Sequence, residues 1–197
     1  MLCAIHQPNL APWIPYFKKI VSSDIFIILT EAQFSRTYYQ QRFNLDGKFY
    51  TLPVVYGNVP ISQKRYLNAK KDWDALKRKL NGIYREEKYG DVLSVFDDCI
   101  YDTMCETNVA IIFRACTLFG IDTGKIRFDV PTELVQTERL VHLCRLYGCD
   151  EYLSGTGAHS YIDESLFEDA GIKLKFQTVN DCDKIPLVVA LKKGMKL

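Results

Sequence analysis

The chain has 197 residues, 48% of them hydrophobic and 13% aromatic, with 25 Lys and Arg against 24 Asp and Glu. That length suits one domain with a substantial core, and the composition excludes an intrinsically disordered chain. A net charge of +1 gives no global attraction to nucleic acid or a membrane surface; with no apolar run of membrane-spanning length and no basic, apolar leader at the start, a cytoplasmic protein is expected.

The first five residues are mostly apolar and read as a buried strand. They run into His6-Gln7-Pro8-Asn9-Leu10-Ala11-Pro12-Trp13, where two prolines break regular structure. Ile14 to Val21 has helical spacing, and Asp24 to Leu29 reads as a fully buried strand. An aromatic and polar loop is expected through Tyr38, Tyr39, Gln40, Gln41 and Arg42, then an Asp46-Gly47 turn and a strand from Phe49 to Val55, with irregular chain over 56–68.

Ala69 to Ile83 is predicted to be an amphipathic helix, with Trp73, Leu76, Leu80 and Ile83 on one face. Between Lys64 and Lys88, nine Lys or Arg stand against four Asp or Glu. Such a stretch is either a solvated helix face or a platform for a phosphate-bearing ligand. Glu106 to Phe119 is apolar nearly all round and reads as a buried helix stopped by Gly120. A strand over Ile126 to Val130, a helix over Glu138 to Tyr147 stopped by Gly148, and a strand over Glu151 to Ser154 form a βαβ unit. In that helix Leu140, Leu143, Cys144 and Tyr147 share a face. A short helix from about Asp163 to Ala170, capped by Gly171, and an alternating strand over Ile172 to Val179 complete the series.

Alternating strands and helices argue an α/β fold with a mostly parallel, Rossmann-like sheet and flanking helices. One domain spans 1–197, with a helical insertion over about 64–120. The seven cysteines are scattered without a Cys-x-x-Cys, so they read as small buried hydrophobes rather than a disulfide framework or a zinc site.

Three polar loops follow strands, where ligands of open α/β sheets sit. In the first, His6, Gln7 and Asn9 flank a helix start, which favours anions. Trp13 reads as packing. In the second, Glu31, Gln33, Arg36 and Arg42 suit general-base work or the gripping of an anion, or form a plain surface ion-pair cluster. In the third, Ser154-Gly155-Thr156-Gly157 could bring backbone N–H groups to a phosphate or be an ordinary tight turn, with His159 and Tyr161 just beyond. If the strands before the first and third loops are neighbours, those loops share a crevice. Asn108, on an apolar helix, either bonds within the core or points into the pocket. No Gly-x-Ser-x-Gly elbow, P-loop, His-Glu-x-x-His or metal-ligand cluster occurs.

The chain resembles the WbqC-like family at these residues: His6-Gln7-Pro8-Asn9 with Pro12-Trp13, Tyr16-Phe17-Lys18-Lys19-Ile20, Ser23-Asp24, Gln33-Phe34, Gln41-Arg42 with Asn44, Tyr152-Leu153-Ser154-Gly155, Tyr161-Ile162-Asp163, Phe167 and Gly171-Ile172. It departs from the family pattern at Thr30 and Ala190, where carboxylates are usual. The resemblance implies a place among surface-polysaccharide (O-antigen) assembly proteins and, with it, transfer of an acyl or aminoacyl group to the amine of a nucleotide-linked amino sugar. His6 and Glu31 are the implied catalytic pair; Gln7, Asn9, Gln33, Arg36, Arg42, Asn108, Ser154, Gly155, Gly157 and Tyr161 are the implied substrate contacts. The layout is also similar to nucleotidylyltransferase-like enzymes such as pantothenate synthetase, though the second His of their His-x-x-His is missing. Whether ATP or another activated acyl donor is used stays open. The alternatives are a non-catalytic nucleotide- or sugar-binding module that acts with a partner enzyme and, less favoured, nucleic-acid modification or binding.

Overall fold

The computed structural model of the chain describes residues 1–84 and 92–197. Its centre is a five-stranded parallel sheet built from β1 (Leu2–His6), β2 (Ile25–Ile28), β5 (Ile126–Phe128), β6 (Glu151–Ser154) and β7 (Lys173–Phe176), in the spatial order β5-β2-β1-β6-β7. A separate antiparallel hairpin joins β3 (Arg42–Leu45) to β4 (Lys48–Thr51). The α/β, Rossmann-like reading of the sequence therefore holds.

Helices cover both faces of the sheet. In β1, Ala4 faces the larger core cluster, while Cys3 and Ile5 face a second one. The pleat alternates side chains, so a strand buried on both faces needs apolar residues throughout, as β1 and β2 have. The first face is covered by α1 (Ile14–Ser22), α2 (Ala69–Tyr84), α3 (Met104–Phe119), α6 (Leu187–Lys192) and the hairpin; the second by α4 (Gln136–Leu146) and α5 (Glu164–Asp169).

Local chemistry sets the helix ends. α1 starts with Pro15 in its first turn, where a missing N–H costs nothing. Thr103 caps α3, accepting from Glu106 N at 3.3 Å and donating back to the Glu106 carboxylate. Gly120 ends α3 in the left-handed region at φ 69°.

Several sequence expectations need correction. The chain through Arg42 is not all loop: Arg42–Leu45 pairs with Lys48–Thr51 around the Asp46-Gly47 turn, so the second strand begins earlier and stops before Pro53. Alternating polar residues hid that strand, since its buried members are only Phe43 and Leu45. Ile83 is exposed, whereas Trp73, Leu76 and Leu80 are buried. α3 has one buried face, and Leu118 is exposed on the other. β5 and β7 end at Phe128 and Phe176, short of the expected Val130 and Val179.

Among the described side chains six thiols are free, and Cys3, Cys99, Cys116, Cys144 and Cys149 of these are buried. On the basic stretch, Lys64 is buried, donating to Gly57 O at 2.7 Å, and Lys77 pairs with Asp97 at 2.7 Å and Asp74 at 3.6 Å. Lys70 also pairs with Asp74, at 3.3 Å. Arg85 and Lys88 of that stretch lie outside the described residues. Among the described residues, no helix is long and apolar enough to cross a membrane.

Candidate functional site at the parting of two central strands

The strand order makes β1 and β6 neighbours whose connections run to opposite sides, so a crevice opens between their carboxyl ends. Their paired register ends at Ala4 opposite Leu153. Beyond it the chain leaves the sheet in the loops 7–13 and 155–163, so the first and third polar loops start from adjacent strand ends.

Main-chain direction alternates along β1. His6 O accepts from Leu29 N at 2.9 Å on the β2 side, so the carbonyl of Ile5 points the other way, toward β6, where its strand partner has gone. The Lys19 ammonium fills that gap, donating to Ile5 O at 3.2 Å. Lys19 is only 3% exposed, and no carboxylate among the described residues pairs with it. Burial lowers its pKa to about 8.

His6 lies beside it. Its Nδ1 is 3.0 Å from Gln7 O; a carbonyl can only accept, which assigns the proton to Nδ1 and leaves the Nε2 lone pair free to accept. Burial first, and then Lys19, push the imidazole down to about 4. The ring stands edge-on to Tyr16, centroids 4.8 Å apart. The Tyr16 hydroxyl is buried without a hydrogen-bond partner, and burial raises its pKa. The site thus holds a neutral imidazole and a cation lacking a counter-ion, a combination that favours an incoming anion.

A buried polar clamp fixes the first loop. The Asn108 amide donates to Pro8 O at 2.8 Å and Gln40 O at 2.7 Å, while its carbonyl accepts from Tyr66 Oη at 2.9 Å. Gln40 Nε2 donates to Gln7 Oε1 at 2.5 Å, and Gln40 Oε1 accepts from Ser35 N at 3.1 Å. Asn108 is thus spent inside the core, where it positions two loops. Across the crevice, Ser154 is buried, and Gly155 opens a single turn over Thr156–Ala158. A Cβ at Gly155 or Gly157 would meet nothing within 4 Å. Partial burial, then Tyr38, raises the pKa of the exposed Tyr161. His159 stacks on Phe176 at 3.5 Å.

The second polar loop is not drawn into this cluster. The Glu31 amide donates to Asp129 Oδ2 at 3.1 Å and its carbonyl accepts from Arg139 at 3.2 Å, but no hydrogen bond joins Glu31 to His6. Its carboxylate adds, after burial, to raising the Cys105 thiol to about 11. Gln33 donates to Asn58 Oδ1 at 2.7 Å and Val59 O at 2.9 Å. Arg36 lies over Tyr56 at 5.5 Å. Arg42 lies over Phe49 at 4.4 Å and donates to Thr37 O. Gln33 and Arg36 thus tie their loop to residues 56–59, and Arg42 holds Thr37.

Sequence reasoning missed Lys19 and Asp129. Lys19 falls on the buried side of α1, three residues after Tyr16 and one before Ile20, so helical periodicity alone would have exposed it. Asp129 follows β5 and accepts from Thr30 N at 2.7 Å and Thr30 Oγ1 at 2.8 Å, shaping the end of β2. Trp13, read as packing, is 40% exposed. It forms a wall of a cavity of about 150 Å³ on the other side of the first loop.

The chain is 29% identical over 187 residues to an uncharacterized protein of Mycobacterium tuberculosis, Rv1507c, a match covering 87% of this chain and 79% of that one. No solved structure matches it. The profile of the WbqC-like protein family matches residues 7–184, a span that holds the first loop, the buried Lys19 and the crevice loop after β6. The chain belongs to the WbqC-like protein family.

Proposed function

We propose that the protein is a transferase or ligase of surface-polysaccharide assembly that joins an acyl or aminoacyl group to the amine of a nucleotide-linked amino sugar in the β1/β6 crevice. The observation that carries this reading is the neutral His6 beside the unpaired, buried Lys19 at the end of β1. In this reading a phosphate or carboxylate sits against Lys19, and its negative charge raises the basicity of both neighbours. The amine nitrogen attacks the activated acyl carbon, the bond to the leaving group breaks with its electron pair, and the amine proton passes to His6 Nε2. In this reading Ser154, Gly155, Gly157 and Tyr161 would approach the substrate from the β6 side and Gln7 from the β1 side, while Asn9 lines the cavity on the other face of the first loop. Glu31 has no bond to His6, so the proton-accepting role falls to His6 alone. The acyl group arrives activated, through ATP or as another activated donor.

The test pairs nucleotide-linked amino sugars with ATP plus amino acids, or with acyl-coenzyme A, and seeks the amide by mass spectrometry in wild type and His6→Ala. Product from wild type and loss of about 10²-fold or more in the variant are expected. Equal turnover in His6→Ala would refute the assignment. The lack of a carboxylate bonded to His6 favours a second reading, a binding module that serves a partner enzyme. Ligand-induced thermal stabilisation without turnover for any pair would support it.

A further inference from the structure

The first loop has a second functional side. Trp13 and Tyr39 lie nearly parallel, at 13°, with ring centroids 6.4 Å apart. They edge the cavity of about 150 Å³, which Asn9, Phe43, Asn44 and Lys184 also line. Asn9 is 6% exposed, and among the described residues its side-chain amide has no hydrogen-bond partner, yet its polar atoms are not among those sealed from solvent without one. The amide therefore keeps a donor and an acceptor free for a ligand that enters the slot. Asn44 spends its carbonyl on Gly47 N at 3.2 Å, which leaves its NH2 group to donate. The Lys184 ammonium stands at the rim, paired with Asp181 at 2.8 Å.

The slot is built rather than incidental. Ile14 N donates to Ile185 O at 2.9 Å, Trp13 bridges to Pro186, and Lys18 pairs with Asp183 at 2.6 Å. Leu10 N donates to Tyr39 O at 2.9 Å. Three chain segments are therefore fixed around it. Ala11 holds a left-handed φ of 46° between Asn9 and Trp13, strain of the kind that gathers at ligand sites.

We propose that this slot binds one sugar ring. Its volume lies below the roughly 300–1,000 Å³ of sites for larger ligands, so it takes a single ring and not a whole nucleotide. Aromatic faces suit the apolar C–H face of a pyranose, and two amides suit its ring hydroxyls, each amide offering a donor, an acceptor or both. The slot stands on its own geometry; that its sugar belongs to the acceptor substrate rests on the reading proposed above.

The chain has two tryptophans, and Trp73 is fully buried while Trp13 is exposed. Tryptophan fluorescence therefore reports the slot directly. Titration with methyl glycosides of glucose, glucosamine and N-acetylglucosamine should change the emission, and uridine monophosphate should not. The signal should vanish in Trp13→Phe, and Asn9→Ala and Asn44→Ala should each weaken binding about tenfold. No response to any glycoside, or an unaltered response in both Asn variants, would overturn the proposal. Failure of Asn9→Ala to fold leaves Asn44→Ala and Trp13→Phe to decide. A glycoside response without amide formation would sink the enzymatic reading and keep the slot; amide formation without that response would do the reverse.

Discussion

Replacing Asn108 tests the clamp that holds the first loop. Its side chain is completely buried and makes three bonds of 2.7–2.9 Å, two of them donated to main-chain carbonyls. Asn108→Ala strands Pro8 O, which has no other partner among the described residues, while Gln40 O and Tyr66 Oη keep only their mutual contact at 3.4 Å. At about 1–3 kcal/mol for each buried group left unsatisfied, the loss comes to about 3–5 kcal/mol. For a chain of this size that lowers Tm by about 6–20 °C. Asn108→Asp sharpens the test because the shape is kept and the donors are lost. A carboxylate facing two carbonyls favours its protonated form, so its folded-state pKa lies above the unfolded value near 4. The sign follows: the variant comes closest to wild type below pH 4 and loses ground as pH rises toward neutrality. Urea denaturation of all three proteins across pH 4–8, read by near-UV circular dichroism, measures both effects. A cost below about 1 kcal/mol for Asn108→Ala, or a pH-independent difference for Asn108→Asp, would refute the clamp.

Other outcomes follow from the same site. His6, held near 4 against an unfolded value of about 6.5, should make wild type lose up to about 3 kcal/mol as pH falls from 6.5 to 4; His6→Gln should lack that loss in acid denaturation. Lys19, lowered to about 8, is a cost below that pH, and wild type should gain stability as pH rises from 8 toward 10.5. Lys19→Met should remove that rise and weaken the binding of anionic ligands measured by calorimetry, with little net change in Tm at pH 7 because stranding Ile5 O offsets the relief of the buried charge; a rise above pH 8 that persists in the variant would contradict the assignment. Gly120→Ala should cost about 1–2 kcal/mol in chemical denaturation from its φ of 69° alone, since an added Cβ meets no atom within 4 Å.

Much of the sheet was legible because β1 and β2 are apolar on both faces, while the prolines after β1 and the glycines on either side of β6 mark strand ends. The shared crevice was legible as a condition, awaiting the fact that β1 and β6 pair. Other features were hidden for physical reasons. The strand Arg42–Leu45 belongs to a hairpin outside the main sheet, so its apolar signal is two residues long. His6 ends β1 and Glu31 follows β2, yet the pull of Asp129 and Arg139 on the Glu31 main chain comes from segments about a hundred residues away. Lys19 was overlooked because a lysine in sequence reads as solvent-facing, and only the helix phase puts it beneath a crevice. The slot joins residues near positions 9, 44 and 184, and no local pattern encodes such an encounter.

The strand order also governs how the molecule is made. β1 meets β2 after a short helical connection, but its other edge must wait for β6, where Leu2 pairs with Glu151. On the ribosome, most of the chain emerges while the future middle of the sheet presents one bare, apolar edge. Closing it requires a contact between segments far apart in sequence, the kind of step that slows folding and leaves intermediates prone to association. Because the crevice exists only once β6 has docked, ligand binding should appear at the last folding step, and substitutions along β6 should reduce yield in cells more than their effect on final stability suggests.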